Sequence, residues 1–190
     1  MRVVLLASGA GSLASAIFAA IDRGEVDIEI ALVISDKDAP ILQIAESRGL
    51  TTALIPMKPN RHEWDREIFS TVESIAPDLV VSVGFMRILA PDFVARFKVI
   101  NTHPALLPLF PGAHAVADAL AAGASVTGTT VHWVDAGVDT GEVISQREVA
   151  VLAGDSVDSL HERIKIEERL LIVETLQKFA STGIPGSDGH

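Results

Sequence analysis

Residues 3–7, within the stretch RVVLLA, offer no polar position to either face of a strand, and a strand that is wet on neither side needs cover both above and below. The same demand recurs along the chain. IEIALVIS (28–35), DLVVSVG (78–84) and KVINTH (98–103) are apolar through most of their length, and TTALI (51–55) is a shorter run. Segments of helical composition separate them over 12–23, 40–48 and 61–76. Strands and helices in this alternation predict an α/β chain: a Rossmann-like open, mostly parallel twisted sheet with helices on both faces.

Beyond His103 the pattern changes. PALLPLFPGAHA packs three prolines into eight residues, which forbids regular helix or inner strand and predicts a shaped loop. Two further strands, GTTVHWV (128–134) and EVISQREVAV (142–151), precede a helix over 156–180, in which Leu160, Ile164, Leu171 and Leu176 fall near helical spacing. The expected organisation is one domain over 1–182, with halves of about 1–100 and 101–182, and a mobile tail over 183–190.

Composition removes several classes of function. A net charge of −10, from 25 acids against 15 bases with no dense Lys/Arg run, is unsuited to neutralising a phosphate backbone, so nucleic acid is not expected as a partner. The chain has no cysteine and no tyrosine; disulfides, thiolate metal sites, a cysteine nucleophile and a phenolic acid or base are all excluded. His62, His114, His161 and His190 share no metal-ligand spacing and no H-E-x-x-H occurs, so no metal is predicted. Arg2 followed by VVLLA loosely imitates a secretory leader, but Gly9, Gly11 and Ser12 interrupt the run and IFAAI continues it. No window approaches the ~18 apolar residues of a membrane span.

The first strand runs into SGAGSLA, where Gly9, Gly11 and Ala14 satisfy G-x-G-x-x-A. Two readings stay open: backbone N–H groups and a helix N-terminus receiving a phosphate or dinucleotide, or a bare tight turn. Asp36, at the end of the second strand, stands where a ribose-binding acid would in a dinucleotide site.

Asn101 and His103 are two apart at the end of an expected parallel strand, so their side chains project to one side, where sites of open α/β sheets lie. An amide and an imidazole there can donate to a carbonyl oxygen gaining negative charge, and His103 can pass a proton. The alternative is a pair of polar groups ending a strand before Pro104. Asp139, in DAGVDTGEV, could raise the pKa of a nearby imidazole and accept a proton, or simply build a turn. His132 reads as a core histidine, Glu167 and Glu168 as the solvated face of a charged helix, Arg61 as a surface base at a helix start, and MRIL (86–89) as a connection.

SGAGS, PDLVVSVGFMRIL, NTHPALLPLFPG, GTTVHWVDAGVDTG and AGDSVDSLHERI, in this order and approximate spacing, resemble the phosphoribosylglycinamide formyltransferase family of purine synthesis. The resemblance runs from residue 2 to about 180 and implies the formyltransferase fold, with 10-formyltetrahydrofolate as co-substrate. It implies that Asn101, His103 and Asp139 are catalytic. Gly9, Ala10, Gly11, Ser12 and Leu13 would hold the phosphate of glycinamide ribonucleotide, with Glu168 on its ribose, while Arg61, Met86, Arg87, Ile88, Leu89 and Asn101 would line the folate pocket. The chemistry implied is direct attack of the glycinamide amine on the formyl carbon without an acyl-enzyme. A cytoplasmic location follows, and a homodimer is compatible.

Leu13 stands where many family members have Asn, which leaves one side-chain contact to the nucleotide either missing or replaced by backbone, and Arg169 follows Glu168 where His is common. The similar formyltetrahydrofolate deformylases carry a regulatory domain ahead of the first strand, here expected from residue 2. Methionyl-tRNA formyltransferases carry a further C-terminal domain and bind an RNA, which the charge of −10 does not suit. A nucleotide-cofactor oxidoreductase would explain the glycine loop and Asp36 but not NTHPALLP; an inactive binding module would not need Asn101, His103 and Asp139.

Overall fold

A computed structural model describes residues 1–185. Two compact units divide it, the first Met1–Asn101 and the second beginning at Thr102, and the strands hydrogen-bond in the order β3-β2-β1-β4-β5-β6-β7 in one sheet.

In the first unit β1 (Arg2–Ala7), β2 (Glu29–Ser35), β3 (Thr52–Leu54), β4 (Leu79–Ser82) and the start of β5 (Val99–His103) pair in parallel. The apolar run of residues 3–7 is the reason β1 is central: all five side chains are fully buried. From β1 the chain steps outward through α1 (Ser12–Asp22) to β2 and through α2 (Pro40–Ser47) to β3. It then returns through α3 (Arg61–Ile75) to β4 on the other side of β1, and on through α4 (Pro91–Arg96) to β5. Right-handed crossovers in opposite directions put α1 and α2 on one face and α3 and α4 on the other. The strand order therefore reverses between β1 and β4, and the crevice beyond their carboxyl ends is where ligands of such sheets bind.

Local chemistry sets the helix boundaries. Pro40 and Pro91 open α2 and α4, where a missing N–H costs nothing, and the Asn60 side chain caps α3 by accepting from His62 N at 3.1 Å. Trp64 is fully buried in α3 and spends its indole N–H on the Ile55 carbonyl at 2.9 Å.

The second unit holds α5 (Ala115–Ala121), an antiparallel pair β6 (Val126–Trp133) and β7 (Val143–Ala150) with a register shift between Val131 and His132, and α6 (Val157–Thr182). A reciprocal capping box between Ser156 and Ser159 starts α6. Leu160, Ile164, Leu171, Ile172, Leu176 and Phe179 form its buried stripe. Arg147 on β7 reaches Glu167 and Glu174 on α6 at 2.9 and 2.5 Å.

Expected and observed elements agree within three residues at their ends. The short helices α4 and α5 were not expected, being six and seven residues long, too short to establish a period. Of the expected tail, Ile184 is buried and residues 186–190 lie outside the described residues. Among the described residues no helix is long and apolar enough to cross a membrane.

Candidate active site

The glycine loop joins β1 to α1 at the point where the strand order reverses. Gly11 lies in the left-handed region at φ 78°, and a Cβ there would fall 2.5 Å from Ile41 Cδ1, so the fold itself demands glycine. Gly9 is different: no atom lies within 4 Å of the position its Cβ would take, and it is exposed. Among the described residues nothing fills that space. Helix α1 begins at Gly11 with no side-chain cap and no acid in its first turn, which leaves N–H groups and the positive end of the helix for an anion. Ala10 and Ser12 are exposed, and the Leu13 side chain is buried, so residue 13 can meet a ligand only through its backbone.

Residues 84–90 follow β4 in the same crevice and are tethered at four points. Ser8 N donates to Gly84 O at 3.1 Å and the Ser8 hydroxyl accepts from Met86 N at 2.9 Å. Arg87 Nε donates to Asp36 Oδ2 at 2.6 Å, and Arg61 Nη2 donates to Ile88 O at 2.5 Å while its Nε engages Asp65. The Arg61 guanidinium also lies over the Trp64 ring, 4.9 Å from its centroid. Held in this way, Met86 and Ile88 present apolar side chains that are 66% and 60% exposed, while Leu89 turns inward. Exposed apolar groups on a restrained backbone suit a flat, partly apolar ligand. Asp36 is not available to a ribose: its carboxylate is buried against Ser8 and Arg87. Burial works against its charge, but the hydrogen bonds from Ser8 and Arg87 outweigh that and hold it below the usual carboxylate range.

On β5, Asn101 and His103 alternate with Thr102 and so share one side of the strand. His103 is buried, with Nδ1 3.3 Å from Asp139 Oδ2 and Nε2 2.8 Å from the Phe110 carbonyl. Asp139 Oδ2 also accepts from Gly112 N at 2.8 Å, and its Oδ1 lies 3.5 Å from His132 Nε2. His132 Nδ1 in turn lies 2.8 Å from the Trp133 carbonyl. Each imidazole thus faces an acceptor with both nitrogens. One carboxylate stands between two rings. The His132 contact, then the Gly112 N–H and the charge on His103, pull Asp139 below its ordinary value against the opposing effect of burial.

The sequence builds this cluster with two loops. Asp135 Oδ1 accepts from Gly137 N and the Thr140 hydroxyl at 2.9 and 2.7 Å, an Asx turn that presents Asp139 at φ 54°. A Cβ at Gly141 would fall 1.7 Å from the Trp133 carbonyl, so the loop closes only with glycine there. The proline-rich loop is pinned by buried Thr130, whose hydroxyl donates to Ala105 O at 2.6 Å and accepts from Leu107 N and Gln146 Nε2. Asp135 therefore forms the turn, and Asp139, which it presents, is the partner of His103.

Glu168, on α6, is 6% exposed, and burial pushes its carboxyl up to about 7 against the smaller opposing influence of Lys165 and Arg169. The solvated-face reading holds for Glu167, which pairs with Arg147, but not for Glu168. His132 is buried as a core histidine would be, yet it supports Asp139; its position directly before the Asp139 loop was the available signal. Within the first unit the structure ties Met86, Arg87, Ile88, Leu89 and Arg61 together and, through Ser8, to the glycine loop. Within the second it brings His103 to Asp139. Among the described residues no group of three or more His, Asp or Glu could hold a metal ion.

Residues 1–176 match the formyl transferase family. A phosphoribosylglycinamide formyltransferase of Mycobacterium tuberculosis is 46% identical over 187 residues, 96% of this chain and 86% of that protein. One from Escherichia coli is 38% identical over 185 residues, covering 95% and 87%. The crystal structure of phosphoribosylglycinamide formyltransferase from Bacillus halodurans superposes with a TM-score of 0.91 at 33% identity and covers 97% of both chains.

Proposed function

The chain belongs to the formyl transferase family, and from that premise we propose that it transfers the formyl group of 10-formyltetrahydrofolate to the amine of phosphoribosylglycinamide, in purine biosynthesis. Relatives carrying the name phosphoribosylglycinamide formyltransferase at 46% and 38% identity over nearly the whole chain support the formyl acceptor. The observation that carries the chemistry is the buried His103 held between the Asp139 carboxylate and the Phe110 carbonyl.

In this reading the glycinamide nitrogen attacks the formyl carbon and a tetrahedral adduct forms, with negative charge on the former carbonyl oxygen. Asn101 and protonated His103 donate to that oxygen. Asp139 keeps His103 charged and oriented through Nδ1, so the Nε2 proton now given to Phe110 O is the one to redirect to substrate. The amine proton leaves toward Asp139, directly or through water, and collapse of the adduct returns a proton to the folate nitrogen as its bond to carbon breaks. No acyl-enzyme is needed, in keeping with a chain that has no cysteine.

Gly9, Ala10, Gly11, Ser12 and Leu13 receive the ribonucleotide phosphate through backbone N–H groups, and Glu168 binds the ribose. Met86, Ile88 and Leu89 bind the donor on a backbone that Arg61 and Arg87 restrain. Cytoplasmic location and catalysis without a metal are part of the same reading. Against a dinucleotide oxidoreductase stands the commitment of Asp36 to Arg87.

The test follows tetrahydrofolate-type product by absorbance, using a 10-formylfolate donor with and without glycinamide ribonucleotide. Turnover that requires the ribonucleotide is expected. Turnover without it would make the protein a deformylase, and none under either condition would overturn the enzyme reading.

A further inference from the structure

We propose that Asp36 is a positioning residue for the formyl donor: through Arg87 and Ser8 it fixes residues 84–89 against the glycine loop and so sets the affinity for the folate. The proposal rests on the reading above, in which this segment binds the donor.

Asp36 directly follows β2, whereas Ser8 follows β1 and Arg87 follows β4. These are the carboxyl ends of neighbouring parallel strands, and the Asp36 carboxylate, close to Ser8, binds Arg87 across them through Oδ2. Its side chain is 1% exposed, while Arg87 keeps 39% of its surface, so the acid is sunk in the floor of the crevice and the guanidinium forms the wall. A buried carboxylate is tolerated only when paired, and removing one partner leaves the other uncompensated. The Arg87 side chain therefore has one favourable place, and the backbone that carries it is fixed with it. Ser8 adds a second restraint, since the hydroxyl beside Asp36 accepts from Met86 N.

The pair is more than a staple for the fold. The helices and strands that flank it have their own buried faces, and the segment it restrains is irregular and carries the exposed Met86 and Ile88 side chains. Its energy is spent on holding a surface in shape for a ligand, which lowers the ordering cost of binding.

The experiment compares wild type, Asp36→Ala, Arg87→Ala, the double variant and Asp36→Asn. It measures KM for donor and for ribonucleotide, kcat, thermal stability, and donor binding by calorimetry with a non-reactive folate. Asp36→Ala should raise the donor KM and Kd about ten-fold, a size typical of a coupled pair, and change ribonucleotide KM and kcat much less. Arg87→Ala should do the same, and the double variant should be no worse than either single one. Asp36→Asn keeps an acceptor for Arg87, guards against a folding failure, and should recover part of the affinity. Unchanged donor binding in Asp36→Ala, strictly additive effects, or a parallel loss of kcat, both KM values and thermal stability would each overturn the proposal. A wild type that turns over normally beside them would leave the transferase reading standing; a wild type that binds no folate would overturn both.

Discussion

Asp36 and Asp139 are both shielded carboxylates in loops at strand ends, and both are held below the ordinary carboxylate range, yet they are built for opposite tasks. Asp36 is paired with a guanidinium, which never gives up its proton near neutrality. Asp139 stands between two imidazoles, the side chain whose proton moves most readily there. The first pair is a permanent clamp and the second can exchange a proton. A lowered acid alone does not mark a catalytic group; the partner that lowers it decides what the acid can do.

The widest separation between the two acids should appear in turnover. His103→Ala and Asp139→Asn should each lower kcat by about 10²–10⁴, the range for loss of a general acid or base, with far smaller changes in the Kd of either substrate. Single-turnover kinetics beside calorimetry would check this, and losses shared equally between kcat and Kd would erase the distinction from Asp36.

A third acid, Glu168, is governed chiefly by burial, with Lys165 and Arg169 opposing it more weakly. Its carboxyl is pushed from 4.5 up to about 7, so the folded chain binds a proton there that the unfolded chain has lost. The resulting cost is absent below about pH 4.5, grows as pH rises, and is complete above about pH 7, where it amounts to about 3 kcal/mol. Glu168→Gln should therefore stabilise the protein at pH 8 by up to that amount, leave it unchanged at pH 4.5, and weaken ribonucleotide binding. Denaturant melts at the two pH values would reveal it; equal effects at both would show that burial does not govern this acid.

The two glycines of the loop after β1 sharpen the contrast between a group kept for the fold and a group open to a ligand. Gly11→Ala meets both a positive φ and Ile41 and should cost about 1–3 kcal/mol of stability. Gly9→Asp enters open space and should leave the melting temperature nearly unchanged while it lowers ribonucleotide affinity more than ten-fold, the cost of roughly 1.4 kcal/mol or more expected for a carboxylate facing phosphate. Intact affinity in Gly9→Asp would remove the phosphate from this loop.

Much of this was legible in the chain because strong local signals coincided. The two-sided apolar runs dictated a covered parallel sheet, and Asn101 and His103 at alternate positions on a strand end pointed to one surface. Glu168 could have been read better: it lies four after Ile164 and three before Leu171, inside the buried stripe of α6. Asp36 could not, since its partner is 51 residues away and only the β2-β1-β4 order brings the two loops together. His132 left a single signal, its place directly before the Asp139 loop, and its contact with Asp139 is made across the turn that Asp135 builds.

His132 supplies the smallest and most diagnostic effect. It touches Asp139 at 3.5 Å and is the foremost cause of that acid's lowered value, whereas Gly112 N and His103 remain if it is removed. Asp139 in His132→Asn should still be ionised at pH 8, and kcat there should fall only about ten-fold, on the order of one lost charge-assisted hydrogen bond. Its carboxyl should titrate closer to the ordinary range. The stabilisation that an ionised Asp139 contributes is present at high pH and lost as pH falls through its folded value, so in the variant it is lost at a higher pH than in wild type. The acid limb of the kcat profile should shift upward in the same direction. An acid limb that stays in place while kcat falls would mean that His132 holds the shape of the loop and not the charge of Asp139. The likeness between Asp139 and Asp36 would then be closer than their partners suggest.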